Sequence, residues 1–87
     1  MNELTALPNI GKTLAEKLIK IGITNPQKLI DAGSENAIIR MGTIENGDAC
    51  LNMLYALEGA IQGIRWHGLS MERKQELKEF FRMLNKK

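Results

Sequence analysis

Apolar residues recur along this chain at spacings of three and four and never in a sustained alternation, a periodicity that predicts helices throughout. The first stripe follows a turn, within LPNIGKTLAEKL at residues 7–18. From Lys12 onward Leu14, Ala15, Leu18, Ile19 and Ile21 share one helical face, and Lys12, Thr13, Glu16, Lys17 and Lys20 share the other. Gly22 is placed to end this helix in a left-handed conformation, with Ile23 folding back onto it. Asn25 and Pro26 read as N-cap and first residue of a short second helix bearing Leu29, Ile30 and Ala32, which Gly33 stops. Ser34 reads as the cap of a third piece, SENAIIRMG, with Ala37, Ile38 and Met41 on one side and Gly42 at its end. In the loop TIENGD, Asn46-Gly47 lacks alternating flanks, so it reads as a helix-to-helix connection with Asp48 as the next N-cap.

Residues 49–64 are apolar almost all round: Leu51, Met53, Leu54, Tyr55, Leu57, Ala60, Ile61 and Ile64 are interrupted mainly by Asn52, Glu58 and Gln62. Such a helix belongs at the buried centre of a domain. Its small side, formed by Ala56, Gly59, Ala60 and Gly63, permits another helix to come close. Arg65, Trp66 and His67 then form a loop, and Ser70 caps a last helix whose Leu77, Phe80, Phe81 and Leu84 fall at i, i+3, i+4 and i+7, with Lys86 and Lys87 suiting its end. The expectation is an all-α fold: one compact domain over residues 1–87, with five or six helices.

Length adds that 87 residues at 44% hydrophobic content can build one small core and no second. A single cysteine, Cys50, excludes an intramolecular disulfide. Its apolar neighbours Leu51, Met53 and Leu54 suggest an inert buried thiol, and no thiol or histidine cluster builds a zinc site. No metal and no cofactor are expected. The start MNELTALP is no secretory signal, and no run of about eighteen apolar residues could span a bilayer. The expected location is therefore the cytoplasm, with no membrane partner.

The net charge of +2 is too small to announce a nucleic-acid partner, so its distribution matters more. Residues 1–28 set four lysines against Glu3 and Glu16, the middle of the chain is acidic, and residues 65–87 set seven basic groups against three acidic ones. If the two ends meet, they form a modest basic face.

Chemistry concentrates in the first turn. Pro8 fixes its φ, Asn9 and Gly11 tolerate positive φ, and Leu7 and Ile10 can tuck inward. Lys12 then stands beside a helix N-terminus, whose unpaired N–H groups favour a phosphate oxygen. The candidate DNA-backbone-binding residues are Asn9, Ile10, Gly11, Lys12 and Thr13, with Lys17 and Lys20 nearby; the bland reading is a tight inter-helix turn with a solvated face. Elsewhere the acidic residues read as singly solvated, with no acid–base pair. His67 has no second imidazole and reads as a loop hydrogen-bonding group. Trp66 is either a core lid or a contact for a partner. GKT at residues 11–13 echoes a P-loop, but Ala6 stands where its first glycine would, so ATP binding is not expected.

The LPNIG turn resembles the hairpin of helix-hairpin-helix modules, whose glycines let the backbone approach a DNA phosphate. Asn9 occupies the first glycine position, and its side chain crowds that approach, so Asn9→Gly would leave binding equal or stronger. With this hairpin, GITNPQKL and CLNMLYALEGAIQGIRW in order, nearly the whole chain resembles the C-terminal domain of the TfoX/Sxy family of bacterial competence regulators. The most specific part is LNMLYALEGAIQG followed by Trp66. The resemblance implies a compact helical domain with a helix-hairpin-helix-like element, in proteins that regulate and do not catalyse. Two-domain members carry another domain ahead of this one, whereas Met1 lies a few residues before the hairpin, so a stand-alone domain is expected. Two functions follow from it: a DNA-binding accessory module gripping backbone phosphates, or a module binding a regulatory protein or itself through Trp66 and the last helix.

Overall fold

The computed structural model describes residues 3–44 and 51–84, which form a single all-α domain. Asn46, Gly47, Asp48, Cys50, Lys86 and Lys87 lie outside the described residues. A 3-10 turn at Glu3–Ala6 leads into five α-helices: α1 (Lys12–Lys20), α2 (Pro26–Ala32), α3 (Ser34–Ile44), α4 (Leu51–Gln62) and α5 (Met71–Leu84), with a second 3-10 turn at Trp66–Gly68 before the last.

Local chemistry sets most of the ends. The Asn25 side chain accepts the Lys28 N–H at 2.9 Å and Pro26 opens α2, while Ser70 Oγ accepts the Arg73 N–H at 3.0 Å to cap α5. Two helices close with the same glycine motif. At the end of α1, Gly22 (φ 89°) donates to Ile19 O and Ile23 donates to Leu18 O. At the end of α4, Gly63 (φ 78°) donates to Ala60 O and Ile64 to Gly59 O.

The apolar helix α4 is central, as its composition demands: it packs on α2, α3, α5 and the Trp66–Gly68 turn. Leu54, Leu57 and Ala60 meet Leu29 of α2, Ala37, Ile38 and Met41 of α3 and Leu77 of α5 in one core, which Leu4, Ala15 and Leu18 extend toward the N-terminus.

Three expectations are corrected. Helix α3 starts at Ser34 and runs through Gly42 to Ile44, because the break from α2 falls at Gly33 (φ 85°) and the Ser34 hydroxyl turns into the core instead of capping. The α1 stripe is narrower than its spacing suggests, with Ile19 exposed, and on α5 Leu77 is buried while Leu84 is exposed. The close approach at the small side of α4 is not made by a helix. At Gly59 the Asn9 side chain and the turn after α4 come in, so that an added Cβ would lie 2.5 Å from Asn9 Nδ2, 2.8 Å from Ile64 O and 3.1 Å from Trp66 Cα.

Candidate functional site: the hairpin and the Trp66 turn

The first turn is a β-turn closed by the Ile10 N–H donating to Leu7 O at 3.4 Å. Pro8 followed by Asn9 at φ 71° is the residue order a type II turn requires, since its third position needs positive φ. Ile10 is buried and Leu7 packs against the core, so both anchors tuck inward.

The Asn9 side chain has a role that its position in the hairpin does not suggest. Its Nδ2 donates to Ile64 O at 2.9 Å and to Ala56 O at 3.4 Å, and its Oδ1 accepts the Trp66 N–H at 3.1 Å. One amide thus fastens the hairpin to the turn that ends α4, and these partners lie 47 to 57 residues away along the chain. This placement changes the expected outcome of Asn9→Gly. The substitution removes three hydrogen bonds and so loosens the hairpin, whatever room it clears for a phosphate.

Beyond Asn9, the chain reaches Gly11 in an extended conformation (φ −93°, ψ −176°) as the N-cap of α1. Gly11 supplies no side-chain cap, and a Cβ built there would meet nothing within 4 Å. Lys12 and Thr13 are exposed beside it, Lys20 is exposed further along α1, and Lys17 is half-buried. The first turn of α1 thus has no side-chain cap and begins beside an exposed lysine, an arrangement that suits an anion.

On the other side of the Asn9 bridge stands a stack of rings. Trp66 is half-buried, with Tyr55 at 5.7 Å between centroids (18° between planes) and His67 at 4.0 Å (27°). The Lys74 ammonium lies 5.7 Å from the Trp66 ring centre and donates to His67 O at 3.4 Å. The His67 imidazole thus stacks on Trp66 and is exposed; the hydrogen bond at this residue is to its carbonyl. Arg65, next to Trp66 in the chain, is also exposed.

Glu58 departs from the reading of the acidic residues as solvated. It sits in the middle of α4 at 8% exposure, accepting from Ser34 Oγ at 2.7 Å, Gln62 Nε2 at 2.7 Å and Arg73 Nη2 at 3.0 Å. Arg73 also pairs with Glu76 and lies 3.8 Å from Glu35, so the cluster ties α3, α4 and α5 together. A lone glutamate in an otherwise apolar helix, four residues before Gln62, was the only sequence signal of it. Burial pushes the Glu58 carboxyl up, but hydrogen bonds from Arg73, Ser34 and Gln62, with the guanidinium charge, outweigh it and hold the group below its ordinary value. The Arg73 guanidinium is held charged chiefly by its bond to Glu58. Because the folded value is depressed, the stability this carboxylate contributes is complete above the unfolded value, about 4.3. It is lost as pH falls through that value toward the folded one. Urea midpoints measured from pH 7 down to pH 3 should therefore drop more steeply below about pH 5 for the natural protein than for Glu58→Gln. Parallel curves would remove Glu58 from that role.

Among the described residues, no group of three or more His, Cys, Asp or Glu side chains could hold a metal ion, and no helix is long and apolar enough to cross a membrane.

Residues 1–81 match the family model of the TfoX C-terminal domain. The DNA transformation protein TfoX of Haemophilus influenzae (strain ATCC 51907 / DSM 11121 / KW20 / Rd) is 35% identical over 77 residues, which are 88% of this chain and 35% of that protein. The chain thus spans about a third of the length of that curated relative. Two crystal structures from Listeria monocytogenes share the fold. A triclinic form of an uncharacterized protein is 52% identical with a TM-score of 0.90, covering 93% of this chain and 91% of that one. A tetragonal form of a protein of unknown function is 51% identical with a TM-score of 0.89, covering 93% and 99%.

Proposed function

The chain belongs to the TfoX C-terminal domain family, and from that premise we propose that it is a non-enzymatic accessory module that binds the DNA backbone in a bacterial competence, or DNA transformation, system. The observation that carries this reading is the open N-terminus of α1. Gly11 puts no side chain over the first turn, and exposed Lys12 can meet a phosphate held there. The Glu3–Ala6 turn, the hairpin and α1 form the helix-hairpin-helix-like element in this reading. Residues 9–13 make the contact, Lys17 and Lys20 add positive charge along the helix, and Asn9 holds the hairpin in place. Phosphate contacts of this kind position a protein without selecting a sequence. DNA as partner places its work in the cytoplasm.

The test is Lys12→Ala. Binding should weaken about equally for unrelated duplexes, and the slope of log K against log salt should flatten by about one unit, the counterion count of one lost phosphate contact. Thermal stability should be unchanged, because a solvated lysine contributes little to it. An unaltered slope would take Lys12 out of the contact.

A second reading, a protein-interaction or self-association module, draws on α5, where Phe80 and Met83 line an open groove with Gln75, Glu76 and Glu79, and Met71 is exposed. Mass that rises with concentration, without DNA binding, would favour it.

A further inference from the structure

The Asn9 bridge does more than brace the hairpin, because it joins two chemically different surfaces. On its hairpin side, three residues further along the chain, is Lys12 at the open end of α1. On its other side, one residue beyond the Trp66 N–H that Asn9 accepts, is the exposed imidazole of His67. Chain geometry at about 3.8 Å per residue keeps the two within about 20 Å of one another, a reach of no more than a few nucleotides along one strand. Tyr55 and His67 each stack on Trp66, and His67 is exposed, so a flat group laid on the imidazole face turned away from Trp66 would extend that stack. Arg65 and Lys74 place positive charge around it, with Lys74 fixed by its bond to His67 O.

A phosphate site alone accepts any DNA. A phosphate site beside an exposed ring suits a strand whose bases are unstacked and can turn onto that ring, and bases inside a duplex cannot do so. We infer that the hairpin and the ring stack form one surface for single-stranded DNA, with residues 11–13 holding a phosphate and His67, backed by Trp66, stacking on a nearby base. The inference rests on the backbone-binding reading above and goes beyond it by naming the form of DNA preferred.

The experiment titrates the full chain with a labelled thymidine 20-mer and with a 20-base-pair duplex at low salt. Anisotropy is followed together with the emission of Trp66, the single tryptophan of the chain. The single strand should bind more tightly and quench Trp66. His67→Ala should weaken single-strand binding about tenfold, as expected for one lost base stack, and leave duplex binding unchanged. His67→Phe, which keeps a ring, should restore most of it. Both variants should melt like the natural protein, since the imidazole is exposed. If strand and duplex bind equally and His67→Ala alters neither, the stacking surface is overturned while backbone binding stands. If neither DNA binds at low salt, the underlying reading fails and this inference with it.

Discussion

Gly59→Ala should destabilise this domain by about 3 kcal/mol, lowering its melting temperature by roughly 10–20 °C, although it adds a single methyl group. The methyl has nowhere to go. One of its neighbours, Asn9 Nδ2 at 2.5 Å, could swing away only by giving up its bonds to Ile64 O and Ala56 O. The other two, Ile64 O at 2.8 Å and Trp66 Cα at 3.1 Å, are backbone. The helix propensity of alanine, better than that of glycine by up to about 1 kcal/mol, works against this loss and does not offset it. Asn9→Ala should cost less, about 2 kcal/mol, because it deletes the hydrogen bonds and puts alanine at a positive φ but introduces no clash. The two changes should be strongly non-additive, since Asn9→Ala removes one of the atoms that the new methyl strikes. Chemical denaturation of both single variants and the double variant measures this. Additive losses would mean that Asn9 and Gly59 do not act on the same contact.

Arg73→Met should cost about 2–4 kcal/mol, far more than its place on a mixed-charge helix suggests. The loss comes from Glu58, which keeps Ser34 and Gln62 but must either stay charged and nearly buried without a countercharge or take up a proton, and both cost stability. By contrast, the exposed pair of Arg82 and Glu79 on the same helix should be worth less than about 1 kcal/mol. Combining Arg73→Met with Glu58→Gln should recover part of the stability, because an amide in that place carries no charge to compensate. A double variant no more stable than Arg73→Met would show that Arg73 acts through packing of its stem and not through its charge.

Much of the fold was legible because the signals that set helix ends are local. Asn25-Pro26, Gly22 with Ile23, and Ser70 each act within a few residues of themselves, and each does in the structure what its neighbours imply. The continuous apolar character of α4 likewise marked it as the centre. What could not be read was pairing across the chain. Asn9 looks like a turn residue, and in its backbone it is one, but its side chain answers to Ile64 and Trp66, 55 and 57 residues away. Glu58 and Arg73 are only 15 residues apart but sit on different helices, and nothing in either helix alone says that they meet. Ser34 shows both effects at once: a capping residue by its place, it is drawn into the core by a carboxylate 24 residues on. At the candidate site, residues 11–13 and their exposure followed from the local pattern. The ring stack that Asn9 ties to the hairpin depended on the bend after Gly63.

We propose that this domain grips DNA through backbone phosphates at the Gly11 end of α1, and the salt dependence of duplex affinity for the natural chain decides it. Binding to two duplexes of unrelated sequence should be of similar strength at low salt, and both affinities should fall steeply and linearly in log K against log salt, with a slope of a few units for a few phosphate contacts. No measurable binding to either duplex at low salt would contradict the claim.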